Sequence, residues 1–308
     1  MLFNEKSLKI RLRLLPHDHA LVAITYNNIG LVYFHRCNYQ KALYYYEKTR
    51  LIENVALGSS DYFDHAATLN NIGLVHFEQG HYDLALRFYK DALTIRERSL
   101  PAKHLRFAES YNNIASLHER LGELNEALAM FEKALEVRFA ALLPDHPQIA
   151  ISYSNLANVL DALGRSDETL ANYFKALKNR NSSSPEAMHS RALFLNNIVE
   201  HYRDEKNCVE ATKYHQEAFR IRLQLFSRNK HPDLAMSYNN MGLLSIDHCM
   251  FDKALYYLLR ALKIYREIYD LEHPQIATSL FNIGLAFYEK DKNEAALNYL
   301  QQALDIQT

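Results

Sequence analysis

Apolar residues recur along this chain at helical spacing, in paired segments that return every 42 or 43 residues. Ile149, Ala150, Tyr153, Leu156, Ala157 and Leu160 follow i, i+1, i+4, i+7, i+8 and i+11, and Ala254, Leu255, Leu258, Ala261, Leu262 and Tyr265 do the same. That spacing lays one apolar stripe along a 3.6-residue helix. Each unit therefore reads as two amphipathic helices joined by a short polar turn. Gly80, Gly122 and Gly164 mark this turn in three copies, where a left-handed helix end favours glycine. All seven prolines fall in the links between copies, three of them as His146-Pro147, His231-Pro232 and His273-Pro274, which suits proline at the first helical position.

Three landmarks keep one phase throughout. An asparagine stands before an apolar residue of the first helix at Asn28, Asn71, Asn113, Asn155, Asn197, Asn240 and Asn282. Ala42, Ala85, Ala127, Thr169, Ala211, Ala254 and Ala296 mark the second helix, and Thr49, Ala92, Ala134, Ala176, Ala218, Ala261 and Ala303 follow seven residues later. Such register predicts stacked repeats rather than a closed globule. The expectation is an all-α solenoid: residues 18–308 form seven helix-turn-helix repeats in a single domain, and residues 1–17 form the second helix of a truncated repeat. Gly30, Gly73, Gly242 and Gly284 share a position with Ala115, Ala157 and Val199, and a small residue there lets the two helices of a repeat approach. Tyr46, Tyr89, Phe131 and Tyr173 share a core position in the second helix. The fifth copy departs most, with Val199 at the small position, Cys208 and His215 where aromatics are usual, and NSSSPEAMHS at 181–190 in place of a His-Pro link. Softer joints are expected there and near Gly58-Ser59-Ser60-Asp61.

Composition removes several function classes. The formal charge is -1 with no basic run, so nucleic acid is not an expected partner. No stretch approaches the roughly 20 apolar residues that span a bilayer, and the first fifteen residues interleave charges with leucines, so neither membrane nor signal peptide is expected. A cytoplasmic protein follows as the expectation. Cys37, Cys208 and Cys249 lie in or near turns and form no C-x-x-C pair; they read as plain small residues of a reducing compartment. Among fifteen histidines, His17-Asp18-His19 could suggest a metal site. Yet His19, His104, His146, His231 and His273 occupy one phase just before the first helix, so architecture explains them better. The glycines assemble no phosphate loop, and no G-x-S-x-G, H-E-x-x-H or Walker pattern occurs. Neither an enzyme nor a cofactor is expected.

The order aromatic, Asn-Asn, apolar, small, then Ala and Ala, seen in YNNIG at 26–30 and KALYYYEKT at 41–49, resembles the tetratricopeptide repeat. The 42-residue period resembles the kinesin light chain and nephrocystin type, as do HPDLAMSYNNMG and DKALYYLLRALKIYREIYDLEHPQIATSLFNIG. The resemblance implies a right-handed superhelix whose first helices line a concave, peptide-holding groove. It therefore implies a protein-interaction scaffold, or else a regulatory segment of a larger sensor, enzyme or signalling ATPase. No kinesin-type heptad coiled coil occurs in these residues. The chain opens inside a repeat and stops after a second helix without a polar capping helix, which suggests a piece of a longer protein.

At about 100° per residue, the repeated asparagine points roughly 200° from the core side of its helix. Residues four before, three after and seven after it share that stripe. The candidate peptide contacts are Asn28, Asn71, Asn113, Asn155, Asn197, Asn240 and Asn282, with Leu31, Arg120, Asn158, Glu200, Asp204, Leu243 and Asp247. A carboxamide can pair with the N–H and C=O of an extended backbone. It can equally bond between adjacent repeats, offsetting the ~0.6 kcal/mol that mid-helix asparagine costs. The preceding Asn27, Asn70, Asn112, Asn196 and Asn239 suit inter-helix bonds. Ile24, Ala67, Glu109, Ile151, Leu193, Met236 and Thr278 hold the fourth position before, while His35, Glu78, Arg120, Ala162, Asp204, Asp247 and Glu289 hold the seventh after. With Glu200, six carboxylates face Arg120 alone. The expected partner is a linear basic or neutral apolar peptide, with no small-molecule cofactor, in contrast to the tryptophan-plus-acidic cargo motifs associated with kinesin light chains.

Overall fold

The computed structural model describes residues 2–56, 62–178, 184–226 and 231–307. Gly58-Ser59-Ser60-Asp61 and residues 181–183, where softer joints are expected, lie outside them. Every regular element among the described residues is an α-helix. They run α1 (Leu2–Leu14), α2 (Ala20–His35), α3 (Tyr39–Ala56), α4 (Tyr62–Glu78), α5 (Tyr82–Ser99), α6 (Leu105–Leu121), α7 (Leu124–Ala141) and α8 (Pro147–Ala162). There follow α9 (Ser166–Lys178), α10 (Pro185–Asp204), α11 (Cys208–Leu225), α12 (Pro232–Asp247), α13 (Phe251–Ile268), α14 (Pro274–Glu289) and α15 (Asn293–Gln307).

The chain forms two compact units, Met1–Asn172 and Tyr173–Thr308. In the first, α2 and α3, α4 and α5, and α6 and α7 form hairpins, and each second helix also lies against the next first helix. Its core is accordingly distributed. Ala42 and Tyr46 meet Ile72 and Val75 of the following repeat, Ala85 and Tyr89 meet Ile114 and Leu117, and Ala127 and Phe131 meet Leu156 and Val159. In the second unit, α10 and α11, α12 and α13, and α14 and α15 pair in the same way, around a cluster that includes Leu234, Leu258, Leu262, Tyr265, Ile283 and Ala303.

The helix ends explain the periodic histidines. His19, His104, His146, His231 and His273 are N-caps whose Nδ1 accepts the backbone N–H two residues on, at 3.1–3.2 Å. An imidazole thus serves where Ser, Thr, Asn or Asp more often satisfies an orphan donor. Pro147, Pro185, Pro232 and Pro274 each open a helix. The turn inside each repeat holds its residue in the left-handed region whatever that residue is: Cys37 (φ 55°), Gly80, Gly122, Gly164, Lys206 (φ 58°), Cys249 (φ 56°) and Asp291 (φ 57°). Two of the cysteines therefore stand at the turn's strained position, and all three are exposed.

The small first-helix position is sterically required. A Cβ on Gly30 would stand 2.7 Å from the Tyr46 ring, and one on Gly242 would stand 2.5 Å from Leu258 Cγ. Tyr46, Tyr89, Phe131 and Tyr173 are all buried, which leaves little of these rings to stack on a ligand.

Candidate functional site

Four of the repeated asparagines lie on the edge of a first helix that meets the preceding repeat. Asn71 Nδ2 donates to Asn27 Oδ1 at 3.0 Å, Asn113 to Asn70 at 2.8 Å, Asn155 to Asn112 at 3.1 Å, and Asn282 to Asn239 at 3.0 Å. One bond thus unites two sets of side chains that the sequence places on separate faces. The donor half of these amides ties adjacent repeats, and their Oδ1 atoms accept nothing among the described residues. Asn240 differs, because Asn196 accepts from Arg222 Nη1 at 3.2 Å instead and Asn240 has no hydrogen bond among the described residues. Asn28 is exposed, Asn197 is half-buried, and Asn282 is the least accessible, at 7%.

The rest of the stripe faces outward. In the first unit Ile24, Leu31 and Ile151 are each about two-fifths exposed, and His35, Glu78, Arg120 and Ala162 are exposed. Asn158 is half-buried. In the second unit Leu193, Met236, Glu200, Asp204, Asp247 and Glu289 are exposed, with Leu243 and Leu285 half-buried. Not all six carboxylates are open. Glu109 accepts from Arg96 and Arg106 at 3.3 and 3.4 Å, and Glu200 pairs with Arg203 at 3.0 Å. Glu78, Asp204, Asp247 and Glu289 make no ion pair among the described residues, and three of these four belong to the second unit. Arg120 stands over the Phe77 ring at 5.9 Å.

A second set of inter-repeat contacts follows a phase that the sequence also displays. Arg11, Arg96, Arg138 and Arg222 share one phase of the second helix, and the next first helix carries Thr25, Ser110, Ser152 or Ser237 three residues before its asparagine. Each guanidinium Nη1 donates to that hydroxyl, at 2.7, 2.7, 2.5 and 2.7 Å. Arg11 and Arg96 also reach the carbonyls of Leu21 and Arg106 at 2.6 and 2.5 Å. Where Glu53 takes the arginine's place it accepts from Thr68 at 2.9 Å and meets His65 at 3.2 Å. Burial lowers the pKa of Arg96, Arg138 and Arg222. Arg222 is fully buried, yet its Nε and Nη2 have no hydrogen-bond partner among the described residues. Beside it on α11, burial also lowers the pKa of His215, to about 4.

No group of three or more His, Cys, Asp or Glu side chains arranged to hold a metal exists among the described residues, and His19 has its Nδ1 engaged as a cap. No described helix is long and apolar enough to cross a membrane.

The tetratricopeptide repeat model matches residues 3–52, 21–98, 106–182, 190–267 and 249–308. The chain belongs to the tetratricopeptide repeat family. Solved structures with the same fold include BtubC (BKLC) from P. vanneervenii, 21% identical over 73% of this chain and 91% of that one, with a TM-score of 0.63. The apo form of RapI is 15% identical over 92% and 76%, with a TM-score of 0.69. The Signal Transduction ATPase with Numerous Domains protein PH0952 from Pyrococcus horikoshii, which has a tetratricopeptide repeat sensor, is 14% identical over 91% of this chain and 41% of that one, with a TM-score of 0.70. A sequence comparison with curated proteins finds no match. Tetratricopeptide repeats are a protein-interaction fold, typically a non-catalytic scaffold.

Proposed function

We propose that this tetratricopeptide repeat chain is a kinesin light chain-like, non-enzymatic cytoplasmic scaffold whose first-helix faces hold an extended segment of a partner protein. The observation that carries this reading lies in the second unit. Exposed Leu193 and Met236 alternate there with the carboxylates of Asp204, Asp247 and Glu289, which make no ion pair among the described residues, alongside Asn240, whose amide makes no hydrogen bond among them. Apolar side chains supply burial, carboxylates select a basic or neutral ligand, and the amide can pair with its backbone. The candidate contacts remain the seven asparagines with Leu31, Arg120, Asn158, Glu200, Asp204, Leu243 and Asp247.

Asn240 gives the cleanest test, since its truncation removes no inter-repeat bond while truncating Asn155 does. Asn240→Ala is expected to weaken a bound basic-apolar peptide by about 3- to 10-fold, the worth of one hydrogen bond, with an unchanged melting curve. A titration with two peptides differing only in Lys for Glu supplies the second arm. Tighter binding of the acidic member, or full affinity in Asn240→Ala, would remove the proposal.

A regulatory role within a larger sensor is the second reading, supported by the sensor designation in PH0952. The occupant would then be a segment of the same polypeptide, and adding that segment in cis would block the free peptide.

A further inference from the structure

The second helices α3 and α5 leave a cleft of about 560 Å³ between them, floored by α4. Its floor residues on α4, His65 and Leu69, lie about 120–160° around that helix from Asn71, so the cleft is separate from the asparagine stripe. Leu69, Phe88 and Ile95 make an apolar bed, with Leu84 exposed at its edge. Arg50, Arg87 and Arg98 rim it against a single wall carboxylate, Asp91. Glu47 holds Arg50 at 2.8 Å. Arg87 and Arg98 are exposed and make no ion pair among the described residues. The hairpin does not require these arginines: the equivalent positions hold Ala129 and Ala140 in the next repeat, and Tyr256 and Glu267 in the sixth. A comparable cleft between α13 and α15 balances Lys263 and Arg266 against Glu267 and Glu294.

Eleven residues separate Arg87 from Arg98, three helical turns and about 16 Å along one face of α5. Four residues of extended chain cover about 13 Å at about 3.3 Å each and return a side chain to the same face, and the long arginine side chains span the remaining ~3 Å. We propose that the cleft between α3 and α5 is a second docking site, for an extended acidic segment with two carboxylate side chains four residues apart and an apolar side chain midway between them, all three on one face of the segment. The carboxylates meet Arg87 and Arg98, and the apolar side chain lies on Leu69, Phe88 and Ile95. Because the cleft prefers the charge opposite to that of the first-helix face, the two proposals stand or fall separately.

The test is fluorescence anisotropy of the 308-residue chain with a labelled probe, Asp-Ser-Leu-Ser-Asp. Saturable binding is expected, about tenfold weaker in each of Arg87→Glu and Arg98→Glu, weaker in salt, and unchanged in Asn240→Ala. A probe with serine for both aspartates should bind at least tenfold less tightly. Both arginines are exposed, so circular dichroism of the variants should match the parent. Four outcomes would each overturn the proposal: no saturable binding, equal binding by the arginine variants, equal binding of the serine probe, or self-association of the chain alone that Arg87→Glu abolishes, which would assign the cleft to a second copy.

Discussion

Seven backbones adopt the left-handed turn, but only three of the residues there are glycine. A side chain in that region costs about 1–2 kcal/mol, which glycine escapes in exchange for some unfolded-state entropy. Cys37→Gly and Lys206→Gly are each expected to raise stability by roughly 1 kcal/mol, seen as a higher denaturation midpoint; a lower midpoint would show that the side chains compensate. His215 carries the opposite kind of cost. It occupies a core position that holds Tyr46, Tyr89, Phe131 and Tyr173 elsewhere, and burial holds its pKa near 4 against the ordinary 6.5. The folded form thus binds fewer protons than the unfolded form between those values, so its stability is complete above pH 6.5 and falls as the pH drops toward 4. The loss is on the order of 3 kcal/mol. His215→Leu should flatten the stability profile across that window, and an unaltered slope would exclude His215 as the source.

At the scale of elements, the joints between repeats add polar bonds to the apolar contacts that they share with the hairpins. An arginine from one second helix and an amide from one first helix both reach into the neighbouring repeat, which fixes the register of otherwise similar greasy surfaces. Arg222 shows the cost of this arrangement, with two buried nitrogens unpartnered among the described residues. Ser237→Ala removes a charge-assisted bond and should destabilise by about 2 kcal/mol. Arg222→Met should cost less than that, because removing an incompletely satisfied buried cation is often neutral. Together the two substitutions should be milder than their sum in a denaturant double-mutant cycle; strict additivity would mean the 2.7 Å contact carries no coupling.

Across the whole molecule, charge and fold were legible to different depths. The 42-residue register located both helices of each hairpin, the turn and the small position, because backbone periodicity and close packing constrain single residues that sequence displays directly. The asparagine stripe was legible as a direction off its own repeat's core, with an inter-repeat bond as one of its two uses, but the partner of that bond was not. Residues 43 or 44 positions apart, such as Asn113 with Asn70 and Asn71 with Asn27, become neighbours only once the stacking offset is set. Likewise Arg96 reads as a surface cation until the next helix covers it to 3% exposure.

The sequence by itself determined that this chain folds as repeated helical hairpins, since apolar spacing, turn residues and steric allowance act within one repeat. Only the tertiary structure decided which polar groups join repeats and which remain open, because desolvation depends on what a neighbouring repeat covers. That is why Asn240 and Asn155, identical in register, leave an open amide in one case and a seam bond in the other.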